Sequence, residues 1–227
     1  ALGEEMEHLA IRSDEAPKGQ LRITSSYSLS EALLVKAADD YLARYPATAI
    51  DILLLDRTVN LVEERIDLAV RITNDLDPNL VARRLGTCHS VVCASPAYLA
   101  RRGTPRHPSE LTEHDCIYLG EDPRDRRWRF TQRGQAELVT VAVRGRYVVN
   151  HSEMRREGAI AGLGIASLPG FAAQGALERG ELVRVLQAWR HDTAYSGTAW
   201  LLYPPNRFLP SRLRAWVDYL ASAIPQG

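Results

Sequence analysis

Ser25, Ser26, Tyr27 and Ser28 sit together in this chain, as do Asp56 and Arg57, and as do Asn150, His151 and Ser152, with Arg71 as a further cation. Hydroxyl, amide and guanidinium groups donate hydrogen bonds, so these clusters suit the gripping of a small, anionic molecule. Each follows an apolar run that reads as a strand. In open α/β sheets ligands lie beyond the carboxyl ends of the strands, where helix N-termini present free N–H groups and the positive end of a dipole. Other roles stay open: Ser28 and Asn150 can be plain helix caps, and His151 an ordinary surface histidine. Arg71 can pair locally with Asp67 or Asp75.

Bond-breaking chemistry finds little support. No GxxxxGK[ST] phosphate loop, HExxH helix or GxSxG elbow occurs. Gly162-Leu163-Gly164 opens like a dinucleotide motif, but no third glycine follows, and the pair closes a helical pattern instead of starting one. His8, His89, His107, His114, His151 and His191 are too scattered for two to share a helix face as metal ligands. Cys88, Cys93 and Cys116 are odd in number and lack CxxC spacing, which disfavours a secreted disulfide framework and suits buried structural thiols. The expectation is a binding protein, not an enzyme, with no cofactor and no metal.

The elements that would position the clusters follow from periodicity. Leu21 to Ser25 reads as a buried strand, and Ser28 with Glu31 has capping-box spacing. From Leu29 to Tyr45 apolar residues recur every three or four positions until Pro46, which predicts an amphipathic helix. Next come the run Ile50 to Leu55, a short helix with Val59, Val62 and Ile66 on one side, and the strand Asp67 to Arg71. Strand, helix, strand, helix, strand implies a parallel sheet with crossover helices. Leu80 to Leu85 and Ser90 to Ala94 read as further strands; Ser95-Pro96 opens a helix that Gly103 closes. Arg127-Trp128-Arg129-Phe130 alternates, turning both aromatics to one face, so the five arginines between Arg124 and Arg133 read as a solvated outer face rather than a nucleic-acid patch. Asn150 can cap a helix running to Gly162, followed by the strand Ile165 to Leu168. Thr198 to Tyr203 and a helix carrying Leu213, Trp216, Val217 and Leu220 close the chain.

Composition bounds the class. The 227 residues are 45% hydrophobic and 25% charged, as in ordinary globular proteins. Lys and Arg (28) balance Asp and Glu (28), so no overall positive field draws in a phosphate backbone. Apolar runs fall well short of the roughly 20 residues of a membrane span. The first nineteen residues are acidic, with no basic and apolar export pattern, which points to the cytoplasm.

Seven strings now coincide in order: Gly19-Gln20-Leu21-Arg22-Ile23, Tyr45-Pro46, Leu61-Val62-Glu63-Glu64, Asp67-Leu68-Ala69-Val70-Arg71, Ala94-Ser95-Pro96-Ala97-Tyr98-Leu99, the run Ala161 to Pro169, and the run Gly180 to Leu186. Together they resemble the effector-binding domain of LysR-type transcription regulators, from about Gly19 to the C-terminus. The resemblance implies an α/β fold of two Rossmann-like lobes, like type 2 periplasmic binding proteins, with two crossover strands. It places lobe I at 19–92 plus 191–227, lobe II at 93–190, and the end of a linker helix at 1–18. A small effector would lie between the lobes, touching Ser25 to Ser28, Asp56, Arg57, Arg71 and Asn150 to Ser152. Homodimers or homotetramers are implied, as is DNA binding through an N-terminal winged helix-turn-helix absent from these residues. A periplasmic solute-binding protein, which shares the fold, is the competing class.

Overall fold

Hydrophobic runs of two kinds build the chain: short β-rich ones buried on a sheet, and 3.6-periodic ones that cover it. The computed structural model describes residues 16–223 except 56, 58, 136, 194, 195 and 207. Two compact units result, one from residues up to Gly86 together with Thr198 onward, the other Thr87–Gly197. These divisions differ from the expected 92/93 and 190/191. The strands Ser90–Ala94 and Trp189–Asp192 both hydrogen-bond within the second unit's sheet, which carries the boundary past them.

In the first unit, β1 (Gly19–Ser25) lies parallel to β2 (Thr48–Leu54) and to β3 (Leu68–Thr73). The sheet order is β2-β1-β3-β12-β4, with β4 at Val81–Cys88 and β12 at Gly197–Tyr203 running antiparallel to β3. The parallel part is the one that alternation predicts. β12 departs from it because it arrives from the other unit instead of from a crossover helix.

Helix α1 runs as a turn Tyr27–Leu29, a π-type segment Ser30–Leu34 and a regular stretch Val35–Arg44. It begins one residue before the expected cap: Ser26, not Ser28, is the N-cap, its Oγ accepting from Leu29 N at 3.4 Å. Leu29, Leu34, Ala37 and Tyr41 are buried, and Tyr41 packs edge-on against Trp216 of the closing helix α5 (Ser211–Ala223), ring centroids 5.0 Å apart. The predicted short helix around Val62 does not form. Leu61–Arg65 is a turn in which Ile66 N reaches back to Leu61 O at 2.8 Å and Arg65 takes φ 53°, a left-handed value that ends any helix. Leu61 and Ile66 are buried while Val62 is exposed, so the apolar spacing there serves a turn.

The second unit carries β6 (Cys116–Ile117), β9 (Ile165–Pro169), β5 (Ser90–Ala94), β11 (Trp189–Asp192), β7 (Arg127–Gln132) and β8 (Leu138–Ala142) in that order, with β10 (Val183–Arg184) pairing β5. Trp128 and Phe130 are buried and Arg127 and Arg129 exposed, as alternation requires. Helix α2 (Pro96–Arg102) has Ser95 as N-cap and Gly103 behind it. Helix α3 (Ser152–Ile160) is capped by His151, so Asn150 lies outside it. Gly162, at φ +76°, ends it in the left-handed region, and Gly164 sits against the Asp115 carbonyl, where a side chain would collide. Those two contacts account for Gly162-Leu163-Gly164 without any nucleotide. Helix α4 (Gly170–Glu178) packs on the same sheet. No helix among the described residues is long and apolar enough to cross a membrane.

Candidate functional site

Parallel strands β1 and β2 end side by side, Ser25 opposite Leu54, which sets Ser25 and Ser26 before the start of α1. Ser25 is fully buried, and its Oγ has no hydrogen-bond partner among the described residues. Leaving a hydroxyl buried and unpaired costs roughly 1 to 3 kcal/mol, so its place at a strand end invites a polar guest. Ser28 is also buried, whereas Tyr27 is exposed.

Arg71 on β3 is the cation expected to meet an effector. Its guanidinium donates to the Leu55 carbonyl, to the Arg57 carbonyl at 3.1 Å and to Thr24 Oγ1 at 3.3 Å. It therefore ties the segment that follows β2 to the end of β1. Of its expected local partners, Asp67 accepts from Arg22 N at 2.8 Å and pairs with Arg212 at 3.5 Å. Arg57 forms a two-pronged pair with Glu64, at 3.0 and 3.2 Å. Asp56 lies outside the described residues.

In the second unit Asn150 Nδ2 donates to Glu121 Oε1 at 3.1 Å, and His151 Nδ1 lies 3.1 Å from Glu153 Oε2. Ser152 is buried and accepts from Arg155 Nη2 at 3.0 Å. Arg155, only 2% exposed, also donates to the Ser167 carbonyl at 2.7 Å. Ser167 Oγ in turn lies 3.0 Å from Nε2 of His191, whose Nδ1 is 3.0 Å from the Arg129 carbonyl. A carbonyl only accepts, so Nδ1 carries the proton and Nε2 accepts from the Ser167 hydroxyl. Burial pushes the His191 imidazole down to about 4, against a smaller opposing effect of the Arg129 bond. The ring is neutral, stacked on Phe130 (4.6 Å) and close to Trp128 (5.0 Å).

This network borders a cavity of 670 Å³ within the second unit, lined by Ser90, Tyr118, Trp128, Arg155, Ser167, His191 and Thr193 among others. Such a volume suits a small molecule. None of the residues expected from sequence lines it, although Asn150 and Ser152 each bond to one that does, Glu121 and Arg155. One signal pointed there: Ser167 is a polar residue in the otherwise apolar strand β9. Cys93 and Cys116 are buried, burial pushing both thiols up to about 12, which leaves them protonated and inert.

Known proteins of similar sequence define the class. Residues 14–225 match the family described as LysR substrate binding domain. The probable HTH-type transcriptional regulator LtrA of Klebsiella pneumoniae is 38% identical over 92% of this chain and 67% of its own length. PtxR of Pseudomonas aeruginosa, an HTH-type transcriptional regulator, is 32% identical over 90% and 64%. Among solved structures, CrgA, a LysR-type transcriptional regulator from Neisseria meningitidis, superposes with a TM-score of 0.83 at 27% identity, covering 99% of this chain and 74% of that one. The chain thus belongs to the LysR substrate-binding domain family, with the two-lobed α/β fold of type 2 periplasmic binding proteins. It is a ligand-sensing regulatory domain, and its relatives do not favour the periplasmic solute-binding alternative. It spans about two thirds of the length of these two regulators.

Proposed function

We propose that this domain binds a small anionic effector and passes its occupancy to DNA-binding heads within a cytoplasmic homodimeric or homotetrameric regulator that performs no catalysis. The kinship to full-length transcriptional regulators supports the DNA-binding part. In the first unit the candidate contacts are Ser25 to Ser28, Asp56 and Arg57. The second unit, taken by itself, offers Asn150, His151 and Ser152 as candidate contacts. The observation that carries this reading is the buried, unpaired Ser25 hydroxyl at the end of a parallel strand. Arg71 has a double part: it holds the Leu55 and Arg57 carbonyls, and any contact with the effector adds to that.

Sensing is a population shift in which the effector favours one of two arrangements; a coupling of roughly 1 to 3 kcal/mol suffices. The test is operator binding by the full-length parent protein, titrated with small carboxylates in a gel-shift assay. Operator affinity should change roughly 5- to 150-fold at saturating effector. Affinity indifferent to every carboxylate tried, with melting temperature also unchanged, overturns the reading.

A further inference from the structure

The chain enters the second unit at Thr87 and leaves it at Gly197. Just inside that unit the entering and leaving segments lie side by side, yet their backbones share little: β5 and β11 meet in one registered pair, Ser90 opposite His191. Otherwise β5 bonds along β9, and β11 along β7. Side chains supply the missing link. Ser90 Oγ, on the entering segment, bonds directly to Thr193 Oγ1 on the leaving one. Ser196 Oγ lies 3.2 Å from Ser90 Oγ and 3.4 Å from Thr193 Oγ1, which completes a triangle of hydroxyls.

A hydroxyl carries one proton and two lone pairs, so three of them in mutual reach can close a ring in which each oxygen both donates and accepts. Bonds arranged in this way polarise and strengthen one another. Ser196 is the hub of the leaving segment. Its Oγ accepts from Thr193 N at 3.3 Å and reaches the His191 carbonyl at 3.2 Å, while Ser196 N closes the turn on the Thr193 carbonyl at 3.0 Å. That turn owes nothing to Ser90. Both bonds of Ser90 Oγ cross to the other segment, so its hydroxyl serves the link alone. All three residues are half-buried, which shields the triangle from competing water.

We propose that Ser90, Thr193 and Ser196 form a clasp that couples the segments by which the chain enters and leaves the second unit, so that opening one loosens the other. Its use in signalling rests on the chain being a ligand sensor; its existence does not.

Hydrogen exchange of the whole chain, without ligand, tests the clasp through the reciprocity that any coupling must show. Ser90→Ala should quicken exchange at the Thr193 and Ser196 amides about fivefold, one neutral hydrogen bond's worth. Ser196→Ala should quicken the Ser90 and Val91 amides, across the link, by a similar factor. The double variant should exceed the larger single effect only slightly, because both substitutions break one unit. Thr193→Ser, which keeps a hydroxyl, should match the native chain, whereas Thr193→Val should loosen Ser90. Ala166 and Leu168 amides in β9 should be unchanged throughout, which reports an intact fold. Effects confined to the substituted segment, additive effects, or no effect each overturn the clasp. If an alanine variant fails to fold, Thr193→Ser against Thr193→Val, read at Ser90, decides. Effector-dependent operator binding by the parent would leave the sensor reading standing if the clasp fails.

Discussion

Nδ1 of His191 donates to the Arg129 carbonyl at 3.0 Å, joining β11 to β7 through a neutral, wholly buried imidazole. Its pKa of about 4 lies below the 6.5 of a free histidine, so between those values the unfolded chain takes up a proton that the native state refuses. Stability is therefore complete above pH 6.5 and is lost as pH falls toward 4, with a slope of up to about 1.4 kcal/mol per pH unit. Buried His114, also shifted down by desolvation, adds in the same direction. Urea denaturation at pH 7 and pH 5 should differ, and His191→Gln should shrink that difference. Equal pH sensitivity in both proteins would remove His191 as its source.

Arg71→Ala should destabilise the first unit, because three acceptors at the ends of β1 and β2 lose their donor. The expected loss is about 1 to 3 kcal/mol, given partial exposure. Hydrogen exchange should quicken from Leu55 to Arg57. If stability is unchanged while ligand affinity drops, the guanidinium serves the effector alone.

Ser25→Ala should act in the reverse sense. Removing a buried hydroxyl that has no partner raises stability of the ligand-free chain by about 1 kcal/mol, while an effector that uses that hydroxyl binds more weakly. Thermal melts with and without ligand separate the two effects. A drop in melting temperature without ligand would show that the hydroxyl is already satisfied.

Self-association is expected through α1. Val35 and Leu42, two turns apart on the helix, are 65% and 38% exposed. Isologous pairing is the commonest symmetry for such a face. Light scattering at micromolar concentration should report a dimer or larger, and Val35→Glu with Leu42→Glu should lower the mass. A monomer at all concentrations would dismiss the assembly.

Much of the architecture was legible along the chain. The helix ending at Pro46, the inward Trp128 and Phe130, and the Ser95-Pro96 cap each depend on neighbours within a few residues, which periodicity and propensity report directly. Errors came where one pattern served two structures. The spacing of Leu61, Val62 and Ile66 fits a helical turn as well as the tight turn observed, and Ser26 and Ser28 are both acceptable caps until the backbone chooses.

The sequence alone determined the family, most of the principal strands and helices in their order, and which of their faces are apolar, because those properties are written in local composition and in motifs kept in order. Tertiary structure decided the rest. Arg71 finds carbonyls of residues 14 and 16 positions away, Ser167 meets a histidine 24 positions on, and that histidine meets a carbonyl 62 positions back. Where a proton sits and how far burial shifts it depend on distances of a few ångströms between segments remote in the chain, and no period in the sequence encodes those distances.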